Sequence, residues 1–461
     1  MIKFIYIIIL AIIVSCSLDI PVEDEITGLD AIDNADIADE TLSSVYLSYP
    51  KNKILLSVLT DDLYPNRYIS TNKSTYDFYQ WQTQEIILFS NSLWTDYYRT
   101  VNKANILLIR INEIISEEQI NIQKLKYIKA QTLCLKALAY FDLLQLYAST
   151  YSETTKNNAG IILKNNLTAE ELPRSDIETC FHEIEQILLE AINLFQENSN
   201  NTTNTIFRFS LNSAKALLAK IYLSWNKYEK SIVLCNELIS STILTKQDHE
   251  KVWTSPFANQ ETLLAFENNI FNYGSIFDNS SQQYIFFCNT SLTFDNNDYR
   301  KDICFIPSEY IQLNNNKIYV NYLGKGQTDL SGRSINPIIA LRTAELYFIK
   351  AEAQYETFDK EAAKKTINTF LSMRNSQEIT STGELFFRDL LHEKQKEFIG
   401  EGLRYFDLKH YKLDLKKINY KTNAYIKTIT PEDYRWLLPI PSSEIKNNKN
   451  IIQNPFWDTF I

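Results

Sequence analysis

At residues 341–357 the chain reads LRTAELYFIKAEAQYET, and at 361–375 it reads EAAKKTINTFLSMRN. In the first run Leu341, Ala344, Tyr347, Phe348, Ala351 and Tyr355 recur every three or four residues, the spacing of a helix that buries one stripe. The second run repeats that spacing through Ala362, Thr366, Ile367, Phe370 and Leu371. With a turn at Phe358-Asp359 between them, the two runs predict an antiparallel helix hairpin.

Similar units stand upstream. Residues 209–240 place Ala214, Leu217, Leu218, Ile221, Tyr222 and Trp225 on one face, then restart at Tyr228 towards Val233 and Leu238. Residues 94–115 and 122–148 predict a longer pair, and 176–196 a partner for the 209–240 unit. The hairpins resemble tetratricopeptide units, whose small alanines let paired helices approach closely. Four such pairs predict a mostly α fold, a tetratricopeptide-like, α-solenoid-like scaffold in which each pair buries its apolar face against its neighbours. The scaffold is expected over about 90–250 and 340–412. Between lie 50–86 and 254–340, rich in Asn, Ser, Thr, Asp and aromatic residues, which read as long loop-rich insertions with short strands and turns, their aromatic content arguing against disorder.

A chain of 461 residues suffices for a large core or several ordinary domains. Its formal net charge of −10 argues against nucleic acid, which needs clustered Lys and Arg. Beyond Cys16, Cys134, Cys180, Cys235, Cys288 and Cys304 form no CxxC or other metal-type spacing, and read mostly as buried apolar residues. One bridge, Cys288 to Cys304, stays open in an oxidising compartment.

The opening MIKFIYIIILAIIVSCS has an apolar run from Phe4 to Val14, shorter than the ~20 residues of a bilayer span, and reads as a secretory signal over residues 1–15. Ile13-Val14-Ser15-Cys16 resembles the bacterial lipobox, which makes Cys16 the lipidated first residue of the mature chain. Asp19, Glu23, Asp24 and Glu25 follow, an acidic patch similar to the surface-export signal of lipoproteins of the Bacteroides–Flavobacterium group.

The densest ionisable stretch is EGLRYFDLKHY, 401–411. A catalytic reading needs a nucleophile or a metal cluster, yet His182, His249, His392 and His410 are scattered without ligand spacing. The structural reading pairs Glu401, Arg404 and Asp407 with one another and with nearby backbone where a helix breaks at Gly400 and Gly402, because buried charges must be compensated. No catalytic residue, metal or cofactor is expected.

Five segments in order resemble the SusD/RagB family of nutrient-capturing outer-membrane lipoproteins. They are LWTDYYRTVNKANILL (93–108), AQTLCLKALAYFDLLQLYAS (130–149), the 341–375 hairpin, HEKQKEFIGEGLRYFDLKHYK (392–412) and WLLPIPSSEIKNNKNIIQNPFW (436–457). Lys394 departs from the family's usual Arg and Tyr405 from its common Trp; a lysine cannot form the planar two-pronged carboxylate pair of arginine.

The resemblance implies a SusD-like domain over 16–461, lipid-anchored in the outer membrane and exposed at the cell surface. It also implies a non-enzymatic role: capture of an oligosaccharide and delivery to a partner TonB-dependent, SusC-like β-barrel. Sugar rings stack their C–H faces on aromatic planes, so the loops supply the candidate ligand residues. DDLYPNRYISTNKSTYDFYQWQ (61–82) offers Tyr64, Asn66, Arg67, Tyr68, Tyr79 and Trp81, with Tyr76 nearby; FNYGSIFDNSSQQYIFF (271–287) offers Tyr273 and Tyr284, with Phe277. Two alternatives stand beside glycan capture: peptide capture within the same family, and a helical-repeat adaptor for a protein partner. The ring density of 61–82 favours glycan.

Overall fold

A computed structural model of the chain describes residues 32–198, 205–239, 243–255, 259–267, 285–311, 317–325, 337–422 and 424–460. Fourteen α-helices lie among them: α1 Ala35–Ser48, α2 Lys73–Tyr79, α3 Thr83–Glu113, α4 Gln119–Tyr147, α5 Ile177–Glu197, α6 Leu211–Ser224, α7 Tyr228–Ile239, α8 Lys246–Thr254, α9 Arg300–Cys304, α10 Thr343–Glu356, α11 Lys360–Met373, α12 Gly383–Phe398, α13 Arg404–His410 and α14 Ser442–Asn447. The strands are short: β1 Leu63–Pro65, β2 Thr262–Phe266, β3 Phe286–Cys288, β4 Phe305–Ile311, β5 Lys317–Leu323, β6 Ile338–Arg342, β7 Leu415–Ile418 and β8 Tyr425–Ile429.

Helices α3 to α7 pack each against the next, and the series resumes beyond the loop-rich excursion with α10 against both α7 and α11. This is the solenoid that the hairpin periodicity predicts. Helix α1, outside the hairpins that the periodicity predicts, lies across α3 and α4. With α1, α3 and α5 on its flanks, the second half of α4 has no solvent side, and every residue from Ala130 to Leu144 is buried. Its polar members therefore need partners. Gln131 accepts from the Tyr46 hydroxyl at 3.0 Å, Lys136 donates to Asn165 at 2.8 Å, and Asp142 accepts from Tyr97 at 3.0 Å and from Tyr49.

Local signals set the helix starts. Asn34, Asp176, Thr245 and Asp359 each cap the next helix by accepting a backbone N–H, and Ser210 with Ser213 forms a capping box before α6. A second core forms under α10 to α12, where Phe348, Phe370 and Phe398 meet; in α11 the buried alanine is Ala363, one position beyond the expected Ala362.

The strands pair as four antiparallel ribbons: β1 with β3, β2 with β6, β4 with β5 and β7 with β8. Tyr64 stands opposite Phe287 and Thr262 opposite Arg342. The β1–β3 ribbon joins the 50–86 and 254–340 regions edge to edge. The 50–86 region holds, besides β1, two 3-10 turns and α2. Cys134, Cys180, Cys235, Cys288 and Cys304 are buried free thiols, and Cys288 and Cys304 form no bridge.

Candidate functional site

The 401–411 stretch is a junction in the frame. Gly400 and Gly402 adopt left-handed backbone, at φ +77° and +80°, and a Cβ on Gly400 would lie 2.5 Å from Leu323. From that break the charges reach outward, not to one another as expected. Glu401 accepts from Lys325 at 2.7 Å and Arg342 at 2.8 Å; Arg404 grips Asp61; Asp407 accepts from Lys394 at 2.7 Å. The reason is geometric: two glycine turns and one short helix fan the three side chains onto three different elements. Lys394 also bridges to Glu352 at 2.7 Å, using separate donors of its ammonium where an arginine would use one fork. Lys409 donates to the carbonyls of Gln145 and Ala148, ending α4, and burial pushes its pKa down to about 7. His410 is depressed to about 4 by burial and by the Lys394 charge.

Behind this junction lies a buried ion-pair hub. Arg342 donates to Glu261 at 2.5 Å and Glu397 at 2.6 Å, and Arg374 donates to the same two oxygens at 2.8 Å each. Arg300 holds Asp298 and Glu393, both at 2.7 Å. Burial alone would raise the Glu397 carboxyl, but Arg374 and Arg342 override it and hold it well below the usual range. His249, depressed by burial and by Arg374, completes with Glu261 and Glu397 a trio whose donor atoms lie within 4.8 Å of one another. The trio does not fit a metal. The Oε1 atoms of both glutamates already accept from two guanidinium groups, whose charges would repel a cation.

Above the frame, the β1–β3 ribbon carries a loop face. The small cluster Tyr64, Phe287, Val320, Tyr322 and Ile418 seals its base. Lys417 is buried beneath it, 4.1 Å from the Tyr79 ring centroid and donating to Thr60 O at 2.9 Å, while Ile418 N donates to the Tyr79 hydroxyl at 3.1 Å. The β7–β8 hairpin is thereby stapled to α2.

The residues expected to meet ligand divide sharply. Trp81 is 0% exposed, packs against Tyr405 and Trp436, and donates its Nε1–H to Leu59 O at 2.7 Å, so its ring has no free face for a sugar. Tyr79 is 0% exposed as well. Asn66 is buried and caps the following turn through Tyr68 N at 2.8 Å, and Tyr64 is buried edge-on to Phe287. Arg67 and Tyr68 remain half-buried, with the Arg67 guanidinium 4.9 Å over the Tyr68 ring. Tyr273, Tyr284 and Phe277, like Cys16 and the leader, lie outside the described residues.

The sequence reading missed the other side of the face. Tyr76, half-buried, meets Tyr420 edge-on at 4.9 Å, and Tyr425 on β8 is 68% exposed. Both tyrosines belong to KINYKTNAYIK (417–427), whose Asn and Thr between two β-forming runs mark a hairpin. Arg67, Tyr68, Tyr76, Tyr420 and Tyr425 thus offer rings and one fixed guanidinium at a water-exposed surface, on a rigid base. Such a set can stack apolar sugar faces and donate to hydroxyls. Among the described residues no helix is long and apolar enough to cross a membrane.

A family model described as the SusD family matches residues 185–457, and one described as "starch-binding associating with outer membrane" matches 18–223. No curated protein matches in sequence. A SusD superfamily protein from Bacteroides thetaiotaomicron shares 20% identity at TM-score 0.73, over 92% of this chain and 100% of its own. One from Bacteroides vulgatus shares 21% at TM-score 0.75, over 92% and 99%. A laminarin-binding SusD-like protein shares 18% at TM-score 0.64, over 92% and 100%.

Proposed function

The chain belongs to the SusD family, whose members associate with the outer membrane, and from that premise we propose that it captures oligosaccharide at the loop face. In this reading the protein is a cell-surface lipoprotein anchored through Cys16, without enzymatic activity, that delivers the glycan to a SusC-like TonB-dependent barrel. The observation that carries the ligand reading is the set of half-exposed Tyr68, Tyr76 and Tyr420, packed on the main core, with exposed Tyr425 opposite Ile418 on the β7–β8 hairpin. Rings kept at a surface by a rigid base lose little conformational freedom on binding. The laminarin-binding neighbour supports a β-glucan as one ligand to try.

Affinity electrophoresis of the protein beginning after Cys16, through gels containing laminarin, starch, xylan and host glycans, tests the reading. Retardation by one polymer, confirmed by calorimetry, supports glycan capture and names the class. Passage of the folded protein unretarded through every gel transfers the loop face to peptide ligands.

A further inference from the structure

Away from the loop face, a cleft of about 540 Å³ opens where the end of α4, the α6–α7 turn, the last residue of α10 and the end of α13 meet segment 431–437. It shares no lining residue with the loop face. Its volume falls within the ~300–1,000 Å³ of small-molecule sites.

Two features of the lining are unexplained by folding. At the rim, Phe456 is 72% exposed and holds a left-handed backbone at φ +67°, a conformation unfavourable for a bulky side chain. Its ring sits 5.9 Å from Tyr434, which in turn stacks parallel to Phe460 at 6.2 Å. From α10, Glu356 brings a half-buried carboxylate that makes no hydrogen bond or ion pair with any described residue, and burial raises its pKa. Tyr228, close enough to feel that charge, has a phenol equally without a hydrogen-bond partner among the described residues. Solvent-side rings next to an unused acceptor and donor match a sugar unit, which has an apolar C–H face edged by hydroxyls. The lining sets Lys409 and Lys412 against Glu432 and Asp433 and so favours no net charge on the ligand, and it contains no strand on which an extended peptide could pair.

We propose that this cleft is a second carbohydrate site, with Phe456 and Tyr434 as the stacking platform and Glu356 and Tyr228 bonding hydroxyls of one or two neutral sugar units. The inference rests on the reading of the chain as a glycan-capture protein. Its consequence is retention of a long polymer by two points of attachment, whose effective concentration raises avidity without any new contact.

Hydrogen exchange of the folded protein with laminarihexaose, maltohexaose, cellohexaose and xylohexaose tests it, using wild type, Glu356→Gln and Phe456→Gly. The glycine variant keeps the left-handed backbone and removes only the ring. At least one hexasaccharide is expected to protect peptides covering 149–156 and 431–437. In Phe456→Gly that protection should need about tenfold more sugar, the loss of one stacking contact, while peptides covering 64–79 and 417–427 respond as in wild type. Protection of the 64–79 and 417–427 peptides alone overturns the second site and leaves the loop-face reading standing. Cleft protection that is unchanged in both variants also overturns the assignment. Protection of neither surface by any of the four sugars overturns both readings.

Discussion

Arg404 donates through Nε and Nη2 to both carboxylate oxygens of Asp61, at 2.8 and 3.0 Å, across 343 residues of sequence. The pair ties the end of the helical frame to the residue two places before β1, the strand at the base of the loop face. The bond is a contact within the frame and includes none of the loop-face rings.

Arg404→Ala leaves Asp61 and Asp62 side by side without their cation. Both members of the Arg404–Asp61 pair are largely buried, so the loss should be about 3 kcal/mol, near the lower end for breaking a buried ion pair. Urea denaturation measures it. Arg404→Lys should recover only part of that, because an ammonium cannot present the two-pronged fork. The folded fraction should keep its glycan affinity; a large loss of affinity at unchanged stability would return the 401–411 stretch to the active-site reading.

Asp62 carries a pH signature. Burial first, then the Asp61 charge, raises its pKa from 3.8 to about 7. Below about pH 4 both native and unfolded chains hold its proton. Between about 4 and 7 the native state alone retains it, so this residue's contribution to stability falls as pH rises, and the full penalty applies above 7. Asp62→Asn has no such term. Its stability relative to wild type should improve by up to about 4 kcal/mol between pH 4 and 8, read from denaturation midpoints across that range. A constant difference across the window would contradict the buried, raised carboxyl.

Glu397 sits where the Arg300, Arg342 and Arg374 charges converge. Glu397→Gln removes the anion and leaves the guanidinium groups under-compensated, at a cost of about 3–5 kcal/mol. Added zinc or a chelator should leave the wild-type thermal midpoint unchanged, since Arg342 and Arg374 occupy Oε1 of both glutamates and their charges repel a cation. A midpoint that falls with chelator would overturn the ion-pair account of this cluster.

Trp81→Ala should destabilise by about 3–5 kcal/mol, as for deleting any fully buried large ring, and leave the Leu59 carbonyl unpaired. Trp81→Phe should restore most of the packing and lose only the indole hydrogen bond. Thermal melts of the two variants separate these contributions.

The solenoid was legible because its helices obey a period that needs no partner information: Ala344, Tyr347, Phe348 and Ala351 declare their face from spacing alone. Trp81 was misread for the opposite reason. It stands in a polar, ring-rich stretch that resembles a binding loop, and only its contacts with Tyr405 and Trp436, more than three hundred residues later, turn it into core. The same holds for Glu401, Arg404 and Asp407, which are neighbours in sequence but find Arg342, Asp61 and Lys394 as partners. Pairing of that kind is written in the tertiary fold. The hairpin bearing Tyr420 and Tyr425 was available from its turn residues and alternation; without its contact to Tyr76, nothing marked it as part of a site.

In the proposed reading the rings of the loop face hold glycan while the main core below holds the rings. Isothermal titration of Tyr420→Ala and Tyr68→Ala with the polymer that retards the wild-type protein tests it most directly. Each variant should melt like wild type and bind about tenfold more weakly, the effect of removing one stacked ring. Wild-type affinity in both variants would contradict the claim and move the ligand to a different surface of the protein.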